Sequence, residues 1–330
     1  LFIISCSYYQ KLVKIGDIVM YDKLNLFVQR TSDTPDISCY LNNAKEQTDL
    51  DTGEVCTFGN IEGLKVGLFY GGYSIIGSLA KYLYPNNIYP LDRHTTAQAI
   101  EKLSDTIHLD IAEASVTGLE FGTQFVMKKP PEEYLRKLGD APRLQRCHFD
   151  VGTLYYKSKG KQQPKTLCFY DKRADAKAKN MLLPAGLENA NLLKYEIRLK
   201  NRLPFQIGVP EVKASTLSER NFYRILMQMY QYNYFSISKS KQLKTEVMGE
   251  IRSVSDAVNV LFARLINQSD NDQISEYLDE LKQERVFKDP KYYTRLKNKL
   301  QDIATKANIT ISDEDMRELD DAIRNCGAYI

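Results

Sequence analysis

Between Gly152 and Lys179 the chain sets three tyrosines, Tyr155, Tyr156 and Tyr170, among eight Lys or Arg and two Asp. A phenol is unreactive toward phosphate while it keeps its proton. A cation beside it favours the phenolate and neutralises charge on a phosphate under attack. Tyr170 heads Tyr170-Asp171-Lys172-Arg173, and Tyr156 heads Tyr156-Lys157-Ser158-Lys159. A lone Tyr-x-Lys is more often part of a basic hairpin packed on a sheet, so the case for chemistry depends on what surrounds these tyrosines.

Two stretches of alternating pattern supply carboxylates. In residues 116–127, Leu119, Phe121, Thr123 and Phe125 share one face of a strand, and Gly118, Glu120, Gly122 and Gln124 share the other. The glycines beside Glu120 predict room for something bulky next to it. In residues 192–200, Leu193, Tyr195, Ile197 and Leu199 face a core, while Lys194, Glu196, Arg198 and Lys200 face away. If these strands are neighbours, Glu120 and Glu196 can hold a hard divalent cation, Mg²⁺ or Mn²⁺, that polarises a phosphate. The plainer reading is that Glu196 pairs with its flanking Lys and Arg on a solvated face. His148, in His-x-Asp ahead of the basic hairpin, is a third ligand candidate or a turn residue. His94 and His108 flank a helix and read as structural or solvent-exposed.

The elements that must position these residues follow in order. Residues 18–30 have strand composition; 31–60 read as turns with one short strand. Two extended runs within 61–83 flank Gly71-Gly72, a hairpin turn. A helix spans 95–107, with Thr95 and Gln98 as a capping box. Strands at 152–157 and 165–170 form a hairpin, and a short basic helix follows at 171–182. From about Ser218 the period turns helical. The layout predicts an α+β domain over residues 20–215 and a helical domain over 216–330 for DNA binding or self-association. Residues 1–19 read as an upstream extension or a poorly ordered stretch, with Met20 as a candidate initiator.

Bulk numbers exclude several classes. At 330 residues and 43% hydrophobic the chain can bury a large core. No apolar run approaches the roughly 18 residues that span a bilayer. A net charge of +3 argues for nucleic acid only through local clustering. The six cysteines show no Cys-x-x-Cys pair and read as reduced thiols of a cytosolic protein. Three histidines and no Cys/His pair at ligand spacing argue against a zinc site.

Seven segments in order, MYDKLNLFVQR, IIGSLAKYL, TTAQAIEKLSDTI, VTGLEFGTQF, GTLYYKSKGK, KTLCFYDK and LLKYEIRLKNR, resemble the phage and plasmid replication initiators of the filamentous-phage gene II type. The likeness is to the branch common in Bacteroidetes, related to the plasmid replication initiation factors, and covers roughly residues 20–240. It implies rolling-circle replication: a tyrosine nicks one origin strand, stays on the 5′-phosphate, frees a 3′-hydroxyl for priming, and later rejoins the strand. It also implies a divalent metal, a bacterial cytoplasm and an antiparallel, ferredoxin-like nuclease domain, a variant of the histidine-hydrophobe-histidine fold.

Carried over by motif, the resemblance puts the nucleophile on Tyr170 with Lys172 beside it, and the acidic residues on Glu120 and Glu196. Tyr155 and Tyr156 stay open as nucleophiles. The family's arginine two residues before the strand carboxylate is missing here, where Gly118 stands, and so is any His-hydrophobe-His pair. Lys157, Lys159, Lys161, Lys165, Arg173, Lys194, Arg198 and Lys200 are the expected DNA contacts, with salt-sensitive binding. Expected partners are origin DNA, single-stranded or cruciform at the nick, and a host helicase and polymerase, since no Gly-x-x-x-x-Gly-Lys-Ser/Thr loop is present; oligomerisation is open. A non-catalytic origin-binding protein and a conjugative relaxase of related chemistry are the alternatives.

Overall fold

A computed structural model describes residues 20–84, 91–150, 152–159, 164–243, 251–269, 271–304 and 310–326. The expected upstream extension, residues 1–19, lies outside them, as does Lys161.

The architecture is α+β. Ten strands form one antiparallel sheet in the order β2-β3-β4-β5-β1-β6-β10-β9-β8-β7. They are β1 (Met20–Gln29), β2 (Asn42–Thr48), β3 (Val55–Ile61), β4 (Leu64–Phe69), β5 (Gly72–Gly77), β6 (Ser115–Met127), β7 (Leu144–Asp150), β8 (Thr153–Ser158), β9 (Lys165–Asp171) and β10 (Asn191–Lys200). The long β6 and β10 lie at the middle, paired along their whole length from Asn191 opposite Met127 to Lys200 opposite Gly118.

Ten helices are described: α1 (Leu79–Leu83), α2 (Arg93–Ile107), α3 (Pro131–Lys137), α4 (Lys172–Ala178), α5 (Leu203–Ile207), α6 (Arg220–Phe235), α7 (Val254–Gln268), α8 (Asn271–Gln283), α9 (Lys291–Ala304) and α10 (Glu314–Asn325). α2 starts earlier than the capping box predicts, because its N-cap is Asp92, not Thr95: the Asp92 carboxylate accepts from the Thr95 amide. α1 replaces the end of an expected strand because Ser78 caps it, accepting from the Lys81 amide.

One face of the sheet carries the core. Phe169 stacks on Tyr195 at 4.3 Å and 6° between ring planes, and Tyr195 meets Tyr230 of α6 at 4.3 Å. Tyr195 donates to the Tyr230 carbonyl at 3.3 Å, and Tyr230 donates back to the Tyr195 carbonyl at 3.1 Å. Two buried phenols are thereby satisfied while tying helix to strand. α6 buries Phe222, Tyr223, Leu226 and Met227 in this core, and α10 adds Met316, Leu319 and Ile323. The change near residue 216 is thus a change of secondary structure, not of core. The α7–α9 segment instead has a small cluster of its own, Val260 and Ala263 with Ile251 and Ile303.

The opposite face of β10 grades from closed to open. Leu192, Lys194 and Glu196 are buried, Arg198 is intermediate and Lys200 is exposed. The closed end is roofed by the connection after α4, where Met181, Leu183, Leu187 and Ala190 pack on Leu192.

Candidate active site on the open sheet face

Register fixes which side chains share this face. Tyr170 of β9 lies opposite Lys194, Cys168 opposite Glu196, and Thr166 opposite Arg198. On the other flank of β10, Glu196 lies opposite Gly122 and Arg198 opposite Glu120. Direct partners in an antiparallel pair point the same way. Glu120, Glu196 and Tyr170 are therefore on one side; alternation predicts this for the two carboxylates, and the register adds the tyrosine.

Contacts join them. The Tyr170 hydroxyl donates to Glu196 Oε2 at 3.3 Å. Arg198 grips Glu196 Oε1 through Nε at 2.7 Å and a terminal nitrogen at 2.5 Å. The same Nε lies 3.7 Å from Glu120 Oε2, so one guanidinium bridges both carboxylates. Lys194 Nζ lies 3.5 Å from Glu196 Oε2 and 2.5 Å from Asp22 Oδ2. Glu196 thus does pair with its flanking Lys and Arg, in a buried setting rather than a solvated one.

Asp22 is the residue that alternation misses. Period two puts it with Leu24 and Leu26 on the core face. A bulge between Tyr21 and Lys23 inserts it as an extra residue and turns it to the open face. The Lys194–Asp22 pair is its visible consequence.

Burial and charge set the protonation preferences. Burial raises the Tyr170 phenol well above its usual range, and the Glu196, Asp22 and Asp175 carboxylates add to the rise. Its resting form is the neutral phenol, opposite to what a cation-rich sequence context predicts. Burial also raises Glu120, with Arg198 opposing and Glu196 and Asp22 reinforcing. Burial alone would lower Lys194, but Asp22 and Glu196 outweigh it and hold the ammonium high. Lys172 is lowered by burial and by the Lys194 charge, despite Asp175 at 3.2 Å.

Other expected residues divide by face. Tyr155 is on the open side, half-buried, with Lys157 Nζ 5.2 Å and Arg198 Cζ 5.8 Å from its ring centre. Tyr156 is on the core side, fully buried, and donates to the Gly139 carbonyl at 2.7 Å. It cannot meet a phosphate on the open face. The expected glycine cradle is also corrected. A Cβ on Gly122 would lie 2.2 Å from the Tyr195 carbonyl oxygen and 2.5 Å from Glu196 Cα, and one on Gly118 would meet the Asn25 amide at 2.7 Å. These glycines make room for neighbouring strands.

His148 sits on β7 opposite Leu154, three strands from β10, about 14 Å at ordinary sheet spacing; its side chain lies outside the described residues. The register does not bring it to Glu120 and Glu196. Among the expected DNA contacts, Lys194 is buried in its carboxylate pairs, and Lys165 reaches Asn233 of α6 at 2.7 Å. Lys157, Lys159 and Lys200 are exposed and Arg173 partly so. A cleft of about 330 Å³ opens on this face, lined by Tyr155, Lys157, Pro164, Thr166, Arg198 and Lys200.

Among the described residues no group of three or more His, Cys, Asp or Glu is arranged to hold a metal ion. The donor chemistry nonetheless suits a hard cation: Glu120 and Glu196 are oxygen donors on one face, close enough that the Glu196 carboxylate helps to raise Glu120. Arg198 and Lys194 balance that charge in this structure.

No helix among the described residues is long and apolar enough to cross a membrane. No curated protein matches the chain. A family model, that of the N-terminal region of the replication-associated gene II protein, matches residues 69–218. That span runs from the end of β4 to the turn before α6 and takes in Glu120, Tyr155, Tyr170, Glu196 and Arg198, leaving Asp22 outside. Residues 69–218 are thus similar to this replication-associated family, and the match supports a phage replication initiator of the gene II type.

Proposed function

We propose that this protein initiates rolling-circle replication by nicking one origin strand through Tyr170 and later rejoining it. The observation that carries the reading is the Tyr170 hydroxyl on Glu196, with Arg198 linking Glu196 to Glu120 on the same open face. The phenol oxygen attacks the phosphorus, its proton passes to Glu196 Oε2, and the bond to the 3′ oxygen breaks. The 3′ oxygen takes a proton from solvent and becomes a free hydroxyl, and the 5′-phosphate remains on Tyr170. Arg198, already between the carboxylates and the cleft, offers its fork to the phosphate. Lys157 and Lys200 track the strand through the cleft.

Glu120 and Glu196 would hold Mg²⁺ or Mn²⁺, with Asp22 close by. Such a cation, when bound, supplies the positive charge that favours a phenolate and polarises a phosphate. The roof over Leu192 keeps water from the Tyr170 end, so DNA enters from the Lys200 end. A host helicase and polymerase complete the process.

The test is incubation with single-stranded DNA and Mn²⁺, followed by mass spectrometry of the DNA-linked peptide. An adduct on Tyr170, absent in Tyr170→Phe, is expected. An adduct on Tyr155, or DNA binding with no adduct in the wild type, overturns the reading. A second reading has its own observation: every carboxylate of the site is already ion-paired, as in a purely structural network. An origin-binding protein without catalysis would look like this and would give the adduct-free result.

A further inference from the structure

The open face does not end at the carboxylates. The register carries it from Lys200 across Gly118 of β6, Asn25 of β1, Ile76 of β5 and Lys65 of β4. The next row runs from Phe27 through Ser74 and Gly67 to Phe58 and Lys45. From β10 to β3 is five strand spacings, about 24 Å.

Two features of this half are unlike an ordinary solvated sheet. The first is aromatic. Phe58 and Phe69 meet edge to face at 5.6 Å, and Phe58 is 37% exposed. Both rings lie over Gly67, where an added Cβ would come within 2.9 Å of Phe69 and 3.2 Å of Phe58. The glycine lets the pair lie close against the sheet with ring surface turned to solvent. The second is charge. Lys45 and Lys65 are exposed and make no ion pair among the described residues. β3, β4 and β5 contain no carboxylate at all, and the one on β2, Glu46, lies opposite Thr57 on the other face. Apolar rings beside uncompensated cations suit a polyanion with π-faces, and single-stranded nucleic acid is that ligand.

We infer that the open face of β1–β5 binds the single-stranded DNA that flanks the nick, its bases stacking on Phe58 and Phe69 and its phosphates lying on Lys45 and Lys65. This rests on the DNA-nicking reading for its ligand, and on the row from Lys200 to Lys65 for its continuity with the cleft.

The test compares oligothymidylates of about 5 and about 20 nucleotides by fluorescence anisotropy. Phe58→Ala with Phe69→Ala should weaken binding of the longer strand about tenfold and leave the shorter one, which fits the cleft, unchanged. Lys45→Gln with Lys65→Gln should lower the salt dependence by about 0.7 per lysine. Circular dichroism checks the fold. Wild-type affinity of the folded Phe variant for the longer strand overturns the inference and leaves the nicking reading standing. So does a change in oligomeric state by sedimentation without a change in DNA affinity, which would make the patch a contact between copies. No binding of either strand by the wild type would sink both.

Discussion

β10 presents two chemistries from one backbone. Toward the helices it offers Leu193, Tyr195, Ile197 and Leu199, all fully buried and locked by ring stacking. On the opposite side it offers Lys194, Glu196 and Arg198, equally tied down but by charge. Burial on the first side is non-directional, so a neighbour of similar volume can substitute. The second side is a chain of specific partners, in which losing one leaves another buried without compensation. The first side fixes where the strand lies, and the second can exchange its partners for a ligand's charges.

The largest expected effect tests the charged side alone. Tyr170→Phe should abolish the covalent DNA adduct while costing at most about 1 kcal/mol, because the hydroxyl makes one long hydrogen bond of 3.3 Å. Adduct formation by the variant, seen as a shifted band on a denaturing gel, would break the contrast between the faces.

Next comes a matched pair. Glu196→Ala removes the carboxylate that Lys194 and Arg198 share, leaving Lys194 with that of Asp22 alone and Arg198 with that of Glu120 alone, and should cost about 3 kcal/mol in denaturant unfolding. Tyr195→Ala should cost a similar amount, about 3–5 kcal/mol, by opening a cavity in the stack. Per folded molecule, only the first should lose the adduct; equal activities would mean the carboxylate is structural.

Tyr156→Phe is smaller. It leaves the Gly139 carbonyl without its donor and should cost about 1–2 kcal/mol with adduct formation intact. A lost adduct would bring Tyr156 back as a nucleophile.

The smallest effect is a pH slope. Because Glu120 is raised in the folded state, folding holds its proton more tightly than the unfolded chain does. That contribution is fully present below the usual value of 4.5 and is lost as pH rises through the raised one. Glu120→Gln should remove this decline, so its melting temperature gains on the wild type as pH climbs above 4.5. Parallel melting curves across that range would show that Glu120 feels no net crowding.

What can be read from the amino acids alone follows from the same contrast. Strict alternation in 192–200 and 116–127 yields both faces of β6 and β10, and with them Glu120, Glu196 and the core partners. Alternation says nothing about a bulge, so Asp22 is invisible to it. It also fails where neither face is buried: β2 is exposed along its length, and its Asn, Lys, Glu and Gln read as a turn region although it pairs with β3. Among the tyrosines, parity separates Tyr155 from Tyr156 but does not say which face is open. The protonation of Tyr170 is misread because sequence shows nearby cations and hides the carboxylates that fold against them.

Gly122 has a consequence for how this protein can change. The gap between β6 and β10 beside Glu196 is too narrow for a single methyl group. Any other residue at that position would spread the two strands and, with them, the separation of Glu196 from Glu120. The spacing of the acidic pair is therefore gauged by a missing carbon, not by the acids themselves, and its tuning by substitution at this position is closed off.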